Sequence, residues 1–189
     1  MQEFMKALEK GKMFLMEPTK SFKSVQKASF GDAFRYFLLL AIVSSVLSGI
    51  IAAPFIGVFA IVTIISTYIF FIVGLFIGGV ILHIFAWLFG ARKGFEQTLK
   101  TVAYASTPGL LFMWLPIIGW LISLYTIVLE ILGLKNLQGM STERAALAVL
   151  VPIILLAIAV AILFFMAISF LAATGGLGAM PFDMTGYPF

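Results

Sequence analysis

The sequence predicts an all-α integral membrane protein with five transmembrane helices, and three observations carry that prediction. Of the 189 residues, 62% are hydrophobic and 11% charged, and the mean hydropathy is +1.16. Soluble domains carry about 25% charged residues. Long stretches are free of Lys, Arg, Asp and Glu, Phe55–Phe89 among them. The twelve basic residues fall in three groups: Lys6, Lys10, Lys12, Lys20, Lys23, Lys27 and Arg35; then Arg92, Lys93 and Lys100; then Lys135 and Arg144. Lys and Arg beside membrane spans are retained on the cytoplasmic side, so all three groups are assigned there.

Residues 1–33 read as a cytoplasmic, basic, interfacial arm. Phe4, Met5, Leu8 and Leu15 recur at roughly helical spacing among lysines, a pattern that can lie in the interface plane. Glu17-Pro18 interrupts it, and Phe22 and Val25 mark a second short piece. The other reading is a partly ordered basic leader. No apolar core of signal-peptide length occurs in the first 30 residues, so no cleavable leader is expected.

Residues 34–173 form the membrane domain. Span 1 covers about 33–53, with Asp32 as a candidate N-cap and Ser29-Phe30-Gly31-Asp32 at capping-box spacing. Pro54 marks its exit. Phe55–Phe89 would make about 52 Å of helix, long for one ~30 Å core yet short for two spans and a turn. One long, tilted helix is expected. A polar loop, Gly90–Gln97, leads to span 3 at 98–115. Span 4 covers 117–134, and the loop Lys135–Thr142 precedes span 5 at about 143–173. Ser141 or Thr142 can cap that last helix. Residues 174–189 form a Gly-rich tail, assigned outside the membrane.

Only 29 uncharged residues separate Lys100 from Glu130. A single crossing there would put Lys135 and Arg144 outside. A short hairpin, kinked at Pro108 and turning at Pro116 and Gly119, keeps every basic residue inside. It gives five spans with the N-terminus cytoplasmic and the C-terminus outside.

Reactive groups are scarce. There is no Cys and one His, so disulfides, thiolate sites and paired imidazole metal sites are excluded. No HExxH, GxSxG or GxxxxGK[ST] run occurs. No enzyme activity, metal or cofactor is expected. The net charge of +4 is spread between spans, which favours anionic lipid headgroups as partners of the arm and loops over nucleic acid.

Three sets of residues stand out. His83 and Glu130 are the embedded ionisable groups, and such groups read as functional by default. They either form a hydrogen-bonded pair between spans 2 and 4, or each finds its own partner. Pro108 deprives the carbonyl of Tyr104 of a helical N–H, and Ser106 and Thr107 stand beside the break. That break is either a packing bend or part of a binding site. Gly74 and Gly78, extended by Gly79, form a GxxxG seam, and Ser45/Gly49 and Ala157/Ala161 repeat the small-residue spacing. Such seams pack helices closely, within the bundle or between protomers.

The residues also resemble a known family. The arm with Pro18, the loop Gly90-Ala91-Arg92-Lys93-Gly94-Phe95 and the segment Thr101-Val102-Ala103-Tyr104-Ala105-Ser106-Thr107-Pro108 carry the resemblance. So do Pro116-Ile117-Ile118-Gly119, Leu132-Gly133-Leu134-Lys135, and Gly139-Met140-Ser141 before Ala145-Ala146-Leu147. Over roughly Phe14–Leu171 the chain is similar to the Yip domain family of Ypt/Rab-interacting membrane proteins. The resemblance implies five spans with a cytoplasmic N-terminus. In eukaryotes it implies early secretory membranes, self-association, binding of prenylated Rab-type GTPases and support of vesicle traffic. Here the arm is short and basic rather than long and acidic. Ser29-Phe30-Gly31-Asp32-Ala33 stands in place of an Asp-Leu-x-Gly-Pro signature. The chain therefore looks like a prokaryotic-type member without the GTPase-binding features.

These readings point to a non-enzymatic protein that works by association with itself, with other membrane proteins or with lipid. The alternatives are a small transporter or channel with a site near Pro108, His83 and Glu130, or a lipid-handling protein that thins the bilayer at its short hairpin.

Overall fold

The computed structural model describes residues 2–115 and 118–174, which form helices and turns with no strand among the described residues. The chain divides into two compact units, Met1–Pro152 and Ile153–Phe189. The expected turn residue Pro116, with Ile117, and the tail beyond Thr174 lie outside the described residues.

In the first unit the arm folds into two helices, α1 (Gln2–Met16) and α2 (Pro18–Ser24). Pro18 opens α2 where its missing N–H costs nothing. The inward face of α1 is not the Phe4/Met5/Leu15 face that the apolar spacing suggests. It is Ala7, Gly11 and Phe14, a stripe at i, i+4 and i+7. Gly11 faces α6 and α3, where an added Cβ would make ordinary contact with Leu111 at 3.4 Å and the Tyr36 hydroxyl at 3.5 Å. Phe14 and Phe22 are fully buried, edge to face at 5.0 Å. Met5, Met13 and Met16 stay exposed.

Helix α3 (Phe30–Ile56) starts with the capping box read from the sequence. The Asp32 N–H donates to Ser29 Oγ at 3.1 Å, and Ser29 N–H donates to Asp32 Oδ2 at 3.1 Å. Ser29 Oγ also donates to Asp32 Oδ2 at 2.8 Å. Glu96 Oε1 accepts the Phe30 N–H at 3.1 Å, so a carboxylate from another helix completes the cap. The hydrogen bonds from Ser29 hold the Asp32 carboxyl below its ordinary range, and Arg35 adds to the effect. A lowered folded value makes the cap's contribution complete above the unfolded value of about 3.9. It is lost as pH falls through the folded value. Ser29→Ala is expected to cost about 1 kcal/mol and to shrink the acid-side loss of stability, which thermal melts from pH 3 to 7 would read.

Helix α3 runs through Pro54 and stops at Gly57, whose φ of 57° and ψ of −129° break it. Pro54 is thus not the exit that the sequence suggests. After a 3₁₀ turn, Gly57–Phe59, α4 spans Ala60–Leu88 as one unbroken helix. At 27 and 29 residues, α3 and α4 reach about 40 and 44 Å. They pack on each other, and Gly49 seats against Ile64.

The polar loop ends earlier than expected. Helix α5 spans Phe95–Ala105, followed by α6 (Thr107–Phe112) and α7 (Ile118–Gly133). With 11, 6 and 16 residues these reach about 17, 9 and 24 Å, each below the ~30 Å hydrocarbon core. Beyond α7 the backbone does not enter a loop at Lys135. It forms a π turn, Leu134–Gln138, closed by Gly139 at φ 74°. The Gln138 side chain holds that turn to the 90–97 loop, a reason invisible to periodicity.

Helix α8 (Thr142–Ala173) begins with the Arg144 N–H on Ser141 Oγ at 3.4 Å, and Ala145, Ala148 and Val149 are buried in the first unit. The second unit's portion is apolar helix with Leu163, Phe164 and Phe165 exposed. On α4, Ile69, Phe70, Ile77 and Ile84 are likewise exposed. Continuous apolar surface of this extent needs a non-aqueous surrounding. Two stretches, Phe30–Leu88 and Thr142–Ala173, are long and apolar enough to cross a membrane.

Candidate functional site

The break at Pro108 lies where the arm, α3 and α5 meet. The Tyr104 carbonyl, orphaned by Pro108, accepts a hydrogen bond from Thr107 Oγ1 at 2.6 Å. Tyr36 Oη lies 2.7 Å from that same Thr107 oxygen. Thr107 has one hydroxyl proton, already given to the carbonyl, so Tyr36 must be the donor. The chain therefore runs from Tyr36 O–H to Thr107 O–H to the Tyr104 carbonyl. Ser106 Oγ donates to Val102 O at 2.7 Å, and the helix resumes with Leu110 N–H on Ser106 O at 2.9 Å. Each group freed by the proline thus has a partner, as expected of irregular backbone in a low-dielectric setting.

Aromatic rings brace the joint. Phe14 from the arm stacks on Tyr104 at 4.9 Å, and Tyr36 lies 5.3 Å from Tyr104. Lys10 Nζ sits 5.7 and 5.6 Å from the Tyr36 and Tyr104 ring centroids, within cation–π range. On its other side the break opens on a cleft of ≈ 260 Å³ lined by Phe37, Gly74, Ser106, Gly109, Met113 and Thr126. A Cβ at Gly74 or Gly109 would meet nothing within 4 Å, so these glycines leave the cleft open.

His83 and Glu130 are not joined by a hydrogen bond or an ion pair. His83 Nδ1 lies 2.9 Å from Thr98 Oγ1, and its ring packs edge-on against Phe95 at 5.2 Å. Thr98 is held in turn by Gln138. Gln138 Oε1 accepts the Lys93 N–H at 3.0 Å, while Nε2 donates to Gly94 O at 2.8 Å and to Thr98 Oγ1 at 2.9 Å. The two backbone partners fix the amide orientation. Thr98 Oγ1 therefore accepts from Gln138 and shares a hydrogen bond with His83 Nδ1. Of the two readings open for His83, the structure shows the one in which it finds its own partner, through a network that joins α4, α5 and the π turn. Thr98 and Glu96 both project from the start of α5, and that brought a nearer hydroxyl within reach of His83. His83→Ala and Glu130→Gln are then expected to be additive in thermal stability within about 0.5 kcal/mol, whereas His83→Ala and Thr98→Val should couple by about 0.5–1.5 kcal/mol.

The glycine seam is divided. Gly79 is buried and seats against Leu99 of α5, but Gly74 and Gly78 have no neighbour within 4 Å of an added Cβ. Of these three glycines, Gly79 is the one that packs within the chain among the described residues.

Two of the basic residues are committed internally. Lys100 is 1% exposed, and its ammonium donates to Gln26 O at 3.2 Å. Gln26 Nε2 reaches Asn136 O at 3.1 Å, which ties the end of the arm to α5 and the π turn. Arg92 Nη1 donates to Trp87 O and Ala91 O, each at 2.8 Å, and so caps the C-terminal end of α4 where a cation is favoured. Lys100 is therefore not available to headgroups in the way the charge pattern alone suggests, while Arg92 stays exposed. Among the described residues no group of three or more His, Cys, Asp or Glu could hold a metal.

Tyr36, Thr98, Gln138, Gln26 and Phe14 are the residues that sequence reasoning did not single out. The signal available for Tyr36 and Gln138 was a polar side chain within or beside an apolar helix, with no stated partner.

No curated protein and no solved structure matches the chain. A family model, the Yip1 domain, matches residues 12–164. The match takes in the arm from Lys12, the Pro108 joint, the Gln138 turn and most of α8, and on that extent the chain belongs to the Yip1 domain family.

Proposed function

We propose that this protein is a five-span, non-enzymatic membrane protein that acts by association, in the trafficking-related manner of its family. The observation that carries the reading is how its internal polar groups are used. Tyr36, Thr107, His83, Thr98, Gln138 and Lys100 are each engaged in holding backbone or one another. A chain so built keeps a shape and presents surfaces. The basic arm faces the cytoplasmic leaflet, anionic lipid headgroups attract it, and the open Gly74/Gly78 face suits a second copy or another membrane protein.

The absence of Cys makes topology directly testable. Single cysteines at Lys12, Lys93 and Glu143 should label from the cytoplasmic side only, and one at Gly57 from the outside only. Labelling of positions 93 and 143 from opposite sides would replace the hairpin by a single crossing. Native mass spectra from mild detergent should show a defined homo-oligomer or a bound membrane protein. A bare monomer would overturn association.

The cleft beside Ser106, Gly109 and Met113 favours a second reading, a lipid-handling or transport site. Flux or lipid scrambling in proteoliposomes that fails when Gly109 is changed to Leu would promote it.

A further inference from the structure

A second cleft, of ≈ 340 Å³, lies between α1 and the start of α3, with Lys6, Lys10 and Arg35 on its wall. We propose that it binds the phosphodiester of one anionic phospholipid headgroup. This rests on the reading above that the arm faces the cytoplasmic leaflet.

The three cations are uncommitted, unlike Arg92 and Lys100. None makes an ion pair among the described residues, where Lys20–Glu17 is the one pair found. Two acids also face the cleft, Glu3 and Asp32. The Asp32 carboxylate is occupied by Ser29 N–H and Oγ at 3.1 and 2.8 Å. Three cations against two carboxylates leave a formal charge of +1, which a phosphodiester monoanion neutralises and a more highly charged phosphomonoester would exceed. Lys10 is steadied by the rings of Tyr36 and Tyr104, whose faces take no proton from the ammonium. Its three N–H donors remain for a phosphate oxygen, and Arg35 adds a fork suited to two such oxygens.

Two features select a lipid over a free anion. The remaining wall includes Ala7, Ala28 and Leu39, which suit the glycerol and the first methylenes of a chain. The cleft also opens where the apolar part of α3 begins, beside the exposed Phe4 and Met5 of α1. That is the depth at which a phospholipid carries its phosphate.

The test uses the full chain in mild detergent, titrated with phosphatidylglycerol or phosphatidylcholine and read by native mass spectrometry. One phosphatidylglycerol should bind saturably, in preference to phosphatidylcholine. Changing Lys6, Lys10 and Arg35 together to Gln should weaken it at least about tenfold, the loss of one to two charge-assisted hydrogen bonds. The triple Lys12→Gln, Lys23→Gln, Lys27→Gln removes equal charge from the arm and should change binding less than about twofold, on the scale of exposed charges. Lys10→Arg should bind as the native chain does. If the first triple fails to fold, Lys6→Gln alone, at an exposed position, must still weaken binding. Equal losses in both triples would sink the site and leave the arm's general attraction to anionic surfaces intact. No preference for phosphatidylglycerol in the native chain would sink both. Displacement of the lipid by millimolar inorganic phosphate would overturn the lipid as occupant in favour of a free anion.

Discussion

Thr107→Val is expected to destabilise the protein by about 2–3 kcal/mol, among the largest effects of any near-isosteric change in the chain. The substitution keeps the shape and removes one hydroxyl. That hydroxyl serves two buried groups: it donates to the Tyr104 carbonyl at 2.6 Å and accepts from Tyr36 at 2.7 Å. Stranding a buried polar group costs about 1–3 kcal/mol. Hydrogen bonds within membranes are often worth less, averaging about 0.6 kcal/mol, so the lower part of the summed range applies. Tyr36→Phe removes one donor and strands nothing that Thr107 does not already satisfy, so it should cost about 1 kcal/mol. Thr107→Ser should be close to native. The discriminating variant is Pro108→Ala in the Thr107→Val background, which returns an N–H to the Tyr104 carbonyl and should recover part of the loss. Denaturant-induced unfolding in mixed micelles would measure all four. A Thr107→Val protein within about 0.5 kcal/mol of native would mean that the joint is not held as described.

The position of this break was legible because proline removes a known hydrogen bond from a known carbonyl. Counting four residues back from Pro108 names Tyr104, and the adjacent hydroxyls name the repair. The second half of the repair, Tyr36, was not legible. It lies 71 positions from Thr107, and no local rule links one tyrosine in an apolar helix to a break elsewhere. The capping box of α3 was readable for the same reason as Pro108, since Ser29 and Asp32 satisfy backbone groups within one turn. His83 and Glu130 were linked by expected depth alone. Depth ignores azimuth, and His83 points to α5, where Thr98 stands nearer. The arm shows a similar limit. Its bulky apolar residues Phe4, Met5 and Leu15 suggested one face, but the face packed against α3 and α6 is Ala7, Gly11 and Phe14. In a membrane protein an apolar residue can face lipid as readily as protein, so hydrophobic periodicity says which faces are apolar and not which are inside.

Gly119→Ala should be among the most damaging of the glycine substitutions. A Cβ at Gly119 would lie 2.5 Å from the Phe112 carbonyl oxygen, 2.8 Å from Met113 Cα and 3.1 Å from Met113 C. All three are backbone atoms, so no side-chain rotation relieves the clash, and α6 and α7 must move apart. Overpacking of this kind costs about 1–3 kcal/mol, and the upper end applies where backbone has to shift. Gly133 makes an informative comparison. Its added Cβ would meet Thr101 Cγ2 at 2.5 Å and the Phe22 ring at 3.0 Å, but these are side chains with some freedom, so Gly133→Ala should cost less than Gly119→Ala. At Gly74 and Gly78 an added methyl meets nothing. In the monomer, alanine there should be neutral or stabilise α4 by up to about 1 kcal/mol through helix propensity. The expected order in thermal unfolding is therefore Gly119 worst, Gly133 intermediate, and Gly74 and Gly78 at or above native. A native-like Gly119→Ala protein would show that α6 and α7 do not approach at backbone distance, and the short hairpin proposed above would lose its physical basis.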